Sequence, residues 1–91
     1  MRRLIVRSLA ESEIEQAHLW YVERSPDAAR RSLDEIGIIF GRVLENSDQY
    51  LEVRSRLHRA RMPNFPYGIY FTIVGDTVSV VGVVHARRHP Q

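Results

Sequence analysis

Residues 67–84, "YGIYFTIVGDTVSVVGVV", restrict the possible folds more than any other part of the chain. Two runs rich in Val, Ile, Tyr, Phe and Thr flank Gly75-Asp76, a two-residue loop whose backbone twist matches that of paired strands. This predicts a β-hairpin, and the loop sets its register. Ile73 falls opposite Val78, Phe71 opposite Val80, Ile69 opposite Gly82 and Tyr67 opposite Val84, all on the face that must be covered. The other face receives Thr72 with Ser79, Tyr70 with Val81 and Gly68 with Val83, and His85 lies beyond Pro66. The second strand is apolar on both faces, as a central strand is, and its end carries His85 and Arg87 onto the uncovered face.

The elements before the hairpin supply the cover. Residues 3–9 alternate Leu4 and Val6 against Arg3, Ile5 and Arg7, which predicts a first strand. Ser12 and Glu15 form a capping-box pattern ahead of Ile14, Ala17 and Tyr21, so a helix is expected over roughly residues 12–24. Ser25-Pro26 restarts a helix at once, with a capping serine and a proline where no N–H is needed. Leu33, Ile36, Phe40, Val43 and Leu44 make the apolar stripe of this second helix, which ends near Asn46. Gly37 and Gly41 weaken it and are expected to let another backbone approach closely. Trp20 and Tyr21 are expected in the core. The segment "EVRSRLHRARM" has strand character with a confused alternation that a bulge or a phase change near His58 would reconcile. The order is β-α-α-β-β-β: an α+β fold with a helical hairpin packed on one face of a mainly antiparallel four-stranded sheet.

Ninety-one residues suit one domain, 1–91, with a modest core. No cysteine is present, so neither disulfides nor thiolate metal sites are available, in keeping with a reducing cytoplasm. The apolar run after the basic opening is broken by Arg7 and followed by acids, which argues against a targeting segment, and no apolar run is long enough for a membrane. The four histidines share no ligand spacing, and none of Gly68, Gly75 and Gly82 opens a helix. No metal or cofactor is therefore expected.

All thirteen cations are arginine, which a GC-rich genome accounts for by codon usage. Their placement carries more information. Acids dominate positions 11–52, whereas Arg54, Arg56, Arg59, Arg61, Arg87 and Arg88 share the remainder with one acid, Asp76. Such a split suggests an anionic partner on one side of the fold.

The chain resembles the RelE/ParE toxin superfamily, most closely the ParE branch of plasmid-stabilisation toxins. The residues that carry the likeness are "EIEQAHLWY", "SPDAAR", "RMPNFPYGIY" and "VVHARRHP", which occur in the family's order over nearly the whole chain. The resemblance implies a toxin of a type II toxin–antitoxin module that inhibits an essential machine, plausibly DNA gyrase, without a catalytic centre. It also implies a cognate ParD-like antitoxin, with a ribbon-helix-helix fold and an acidic tail, and higher-order complexes. The alternative from the same resemblance is a ribosome-dependent mRNA endoribonuclease of the RelE kind. In that branch an arginine stands where this chain has Tyr67; Arg88 matches a second arginine, and a tail tyrosine has no counterpart. Arg88 with His85 would carry such chemistry, and His58 or His89 could also shuttle a proton. A toxin-derived remnant that only forms complexes is the third alternative.

Candidate residues for binding antitoxin or target are Arg54, Arg56, Arg59, Arg61, Tyr70, Val81, Val83, His85, Arg87 and Arg88. The basic strand can equally serve as edge protection, and His85 as a strand end bonded to backbone. An apolar strip of Tyr70, Val81 and Val83 on the uncovered face calls for a partner to bury it.

Overall fold

The computed structural model describes residues 2–87, so Arg88 and His89 lie outside the described residues. The elements run β1 (Arg3–Val6), α1 (Ser8–Arg24), α2 (Pro26–Asn46), a short 3₁₀ turn (Ser47–Gln49), β2 (Leu51–Arg54), β3 (Leu57–Arg61), β4 (Tyr67–Val74) and β5 (Thr77–His85). They form an α+β fold around a five-stranded sheet in the order β1-β5-β4-β3-β2. β1 runs parallel to β5, and the other pairs are antiparallel.

The fifth strand, absent from the four-stranded expectation, comes from "EVRSRLHRARM". The chain reverses at Ser55-Arg56, bringing Arg54 opposite Leu57, so the confused alternation is a hairpin rather than a bulge near His58. Arg56 occupies the left-handed region at φ 64°, and its N–H donates to Glu52 Oε2 at 3.1 Å. Within β3 the alternation is then clean: Leu57, Arg59 and Arg61 share one face, His58 and Ala60 the other. The register breaks once more at Val53.

The β4–β5 hairpin forms at Gly75-Asp76, with Gly75 at φ 60°, and its first pairs are those expected: Ile73 with Val78, Thr72 with Ser79 and Phe71 with Val80. Beyond them the register shifts by one residue. Tyr70 pairs with Gly82, Ile69 with Val83, Gly68 with Val84 and Tyr67 with His85, leaving Val81 as the extra residue of a bulge. A one-residue slip exchanges faces. Val83 therefore turns into the core at 3% exposure instead of lying on the uncovered face, and His85 joins the row of Tyr67, Ile69 and Phe71. The physical reason is the helix-bearing side: past Val80 the core takes Val83, where strict alternation would have supplied only Gly82.

Both helices pack on that side. Ala10 and Ile14 of α1, and Ile36, Ile39 and Val43 of α2, meet Ile69, Phe71, Val78, Val80 and Val83 of the sheet. α1 starts at Ser8, four residues before the Ser12–Glu15 pattern. Arg7 still makes a sheet bond, its N–H donating to Val80 O at 2.9 Å, and the chain enters the helix without a side-chain cap. β1 is correspondingly shorter than residues 3–9. Ser25 alone joins the helices: its N–H donates to Tyr21 O at 2.6 Å, and its hydroxyl accepts from Ala28 N–H at 3.2 Å. The buried face of α2 is Ala29, Ser32, Ile36, Ile39 and Val43, which leaves Leu33 exposed. Gly37 and Gly41 also lie on the exposed side, and no neighbour comes within 4 Å of a Cβ placed there, so they admit no close backbone. Trp20 is likewise outside the core at 43% exposure. Its ring meets Tyr21 edge-on at 4.9 Å, with the Arg24 guanidinium 3.8 Å above it. Among the described residues no helix is long and apolar enough to cross a membrane.

Candidate interaction surface

The sheet face turned away from the helices is assembled by register alone. β1 contributes Arg3 and Ile5, opposite Thr77 and Ser79. β4 and β5 contribute Thr72 and Tyr70 with Ser79 and Gly82, and Gly68 with Val84. β3 adds Leu57, Arg59 and Arg61, and β2 adds Leu51 and Arg54. The face thus mixes Arg3 and hydroxyl side chains with Ile5 and Val84 towards β1 and β5, and is cationic towards β3 and β2.

Arg59 is central to the cationic part. It stands opposite Tyr70 on one side and Leu51 on the other. Its aliphatic stem lies over Gly68: a Cβ at Gly68 would sit 3.3 Å from Arg59 Cδ and 3.4 Å from Tyr70 Cε1. Arg61 pairs with Gly68 itself. Among the described residues neither arginine has an ion pair, nor do Arg54 and Arg56. The helical arginines behave differently, since Arg30 and Arg31 both bind Asp27 and Arg24 lies near Glu23. Three of the four helical arginines thus have a carboxylate nearby, whereas the arginines of β3 do not among the described residues.

A pocket of about 110 Å³ opens beside these arginines, lined by Arg59, Arg61, Tyr67, Gly68, Tyr70 and Ala86 together with the Met62–Pro66 loop. The loop is held by backbone bonds: Met62 N–H donates to Tyr67 O at 3.0 Å, Tyr67 N–H to Phe65 O at 2.9 Å, and Ala86 N–H to Pro66 O at 2.8 Å. Asn64 ties it to α2 through both oxygens of Glu35, at 3.1 and 2.7 Å. The end of β5 therefore comes to the basic strand.

The remaining expected residues separate. Val81 is half-buried at the bulge next to the open face, and Tyr70 is half-buried on it. Val83 is core, and a contact role for its side chain is withdrawn. The His85 ring meets Tyr67 edge-on at 5.1 Å, and its Nδ1 accepts from the Arg87 N–H at 3.0 Å, so in the neutral ring the proton resides on Nε2. His58 stacks on Phe71 at 5.4 Å and 15°, with its Nδ1 buried and unpartnered, and lines the core rather than the open face. Arg56 is at the β2–β3 turn, and Arg87 follows Ala86 at the pocket rim.

Two contributors escaped sequence reasoning. Glu13 of α1 accepts from the Val83 N–H at 2.7 Å, where β1 no longer covers β5. Gly68 forms the floor under Arg59; its signal was a glycine inside a strand, which marks a close approach.

The model of the family described as the ParE toxin of type II toxin–antitoxin systems, parDE, matches residues 4–90. Among solved structures, a chain described as the chromosomal ParDE TA system from P. aeruginosa superposes with a TM-score of 0.82 at 13% identity, covering 93% of this chain and 96% of that one. At that identity the likeness is one of fold. A search of curated proteins finds no significant match.

Proposed function

The chain belongs to the ParE toxin family of type II toxin–antitoxin systems, and on that footing we propose that it is a toxin held silent by a cognate antitoxin lying across the open face of its sheet. Freed from that partner, it inhibits an essential machine in the cytoplasm by binding rather than by chemistry, and DNA gyrase is the favoured target. The family match over residues 4–90 carries this reading. The open face supports it, because Ile5, Val81 and Tyr70 form an apolar strip beside arginines that have no ion pair among the described residues. A ParD-like antitoxin with a ribbon-helix-helix dimer would bring two toxin chains into one higher-order complex.

The non-enzymatic form is favoured over the mRNA-cleaving one by Tyr67. It occupies the place of that branch's arginine, and its ring packs against His85 and the core rather than offering a cation. Induced expression of the chain, with and without the neighbouring antitoxin gene, tests the proposal. Gyrase–DNA cleavage complexes and filamenting cells that the antitoxin prevents are the expected result. Translational arrest within minutes would support the endoribonuclease, and unimpeded growth a remnant that only forms complexes.

A further inference from the structure

Two arginines, Arg59 and Arg61, stand two residues apart on one face of β3 and line one pocket, and neither has an ion pair among the described residues. Exposed arginines without counter-ions are common. These two differ in their surroundings. The wall opposite them is backbone fixed by three hydrogen bonds, from Met62 to Ala86, and the loop is pinned to Glu35 by Asn64. The floor is Gly68, where the missing side chain makes the depth: any Cβ would press on the Arg59 stem and the Tyr70 ring. Tyr70, half-buried on the same face as the two arginines, is the aromatic side chain of the lining, and Met62, Phe65 and Tyr67 border the pocket while their side chains pack towards the core; a partly desolvated setting strengthens an ionic hydrogen bond. A rigid, partly dry pocket with two unpaired forked donors suits one planar oxyanion.

Size and context narrow the ligand. About 110 Å³ accommodates a carboxylate-sized group and falls well short of the roughly 300 Å³ at which sites for drug-sized molecules begin. Beyond the pocket the cations are scattered rather than continuous: towards β5 and β1 the face turns to Val84, Val81 and Ile5 before Arg3 at the far strand, and Arg54 stands on the opposite side on β2. A polyanion such as RNA would find few further phosphate contacts there, whereas an extended chain alternating acidic and apolar side chains would find both. We propose that this pocket is a socket for a single side-chain carboxylate, presented by an extended and partly apolar peptide. The proposal rests on the reading that a partner protein covers the open face, and adds the chemistry by which that partner is fixed in place.

The test is a titration of the isotopically labelled chain, monitored by NMR at the Nε–H groups of Arg59 and Arg61 and the backbone amides of Gly68 and Ala86. The probes are a Val-Glu-Val tripeptide blocked at both ends, its Val-Gln-Val counterpart, and a short uridine oligonucleotide. Saturable shifts at these four positions with the glutamate peptide, and none with the glutamine peptide, are expected. Arg61→Ala should weaken binding about tenfold or more, as loss of a charge-assisted hydrogen bond does. Arg54→Ala, on the same face but remote from the pocket, should change it less than about twofold. Arg61→Gln serves as the second variant should the alanine chain fail to fold. Equal shifts at Arg3, Arg54, Arg59 and Arg61 would overturn the socket in favour of diffuse charge, and tighter saturation by the oligonucleotide would overturn it in favour of nucleic acid. If the glutamate peptide fails to bind while the antitoxin still neutralises the toxin, the socket falls and the toxin reading stands. If the peptide binds a chain that proves harmless and without antitoxin, the reverse holds.

Discussion

Glu13, on α1, accepts a hydrogen bond from the backbone N–H of Val83 at 2.7 Å, a polar tie between the first helix and the free edge of the central strand beside the packing of Ala10 and Ile14. β1 pairs with β5 only from Thr77 to Val80, so Val83 would otherwise present an unpaired edge donor. The carboxylate satisfies it from the helix side. Glu13→Ala removes a charged acceptor from a partly buried amide and should lower stability by about 1.5–3 kcal/mol, with Glu13→Gln losing less. Chemical denaturation of the two variants checks this; equal stability of all three chains would show the contact to be incidental.

The bulge at Val81 yields a second, sharply divided expectation. Val83 is enclosed at 3% exposure, whereas Val81 is half-buried beside the open face. An aspartate at position 83 would bury an unpaired charge, at a cost comparable with the whole stability of a small domain, roughly 5–15 kcal/mol. Val83→Asp should therefore fail to fold by circular dichroism. Val81→Asp should fold with a loss of about 1 kcal/mol or so, and lose co-purification with the antitoxin.

Why these two valines were not distinguishable beforehand is instructive. The loop Gly75-Asp76 specifies pairing outward from itself, and it did so correctly as far as Phe71 with Val80. Nothing local announces a bulge in "VVGVV", because every residue there is compatible with either face; the decision belongs to the helices packed above, which need Val83. The order of the helices and of the last hairpin, the Ser25-Pro26 junction and the basic character of the segment before that hairpin depend on short-range chemistry and were legible. The β2–β3 reversal was not, because Ser55-Arg56 lacks the glycine or asparagine that normally marks a left-handed turn position. The socket was only half visible: Arg59 and Arg61 could be named, but the wall that makes them a pocket comes from residues 62–68 and Ala86, joined by tertiary hydrogen bonds.

The two turns make an opposed pair of tests. Gly75 and Arg56 both sit in the left-handed region, at φ 60° and 64°. Alanine at Gly75 would take on the steric penalty that glycine avoids, about 1–2 kcal/mol, so Gly75→Ala should unfold at a lower temperature. At Arg56 the penalty is already present, and glycine would relieve it while adding about 0.5–1 kcal/mol of unfolded-chain entropy. Arg56→Gly should therefore be neutral or mildly stabilising in thermal unfolding, despite losing a charge. A clear loss of stability in Arg56→Gly would mean that its side chain contributes more than the turn geometry shows.

Tyr21 provides a pH test. Its ring sits edge-on to Trp20 at 4.9 Å and to Phe65 at 5.2 Å, at the junction of α1 with the pocket loop. Burial raises its hydroxyl above the ordinary value of 10.0, and the neighbouring Tyr67 raises it further, because two phenolates repel. Below that ordinary value Tyr21 holds its proton in both the folded and the unfolded chain, and it contributes no pH dependence. Above it the unfolded chain releases the proton while the folded chain retains it, so the unfolded state gains and stability is lost as pH rises towards the folded value. Tyrosinate absorbance of the native protein should accordingly contain a step from Tyr21 above its ordinary value of 10.0. Tyr21→Phe should remove that late step and flatten the alkaline decline in stability, and Tyr67→Phe should move the step part of the way back. If Tyr21→Phe leaves the alkaline absorbance profile without loss of a step above 10.0, the α1–loop junction is open to water.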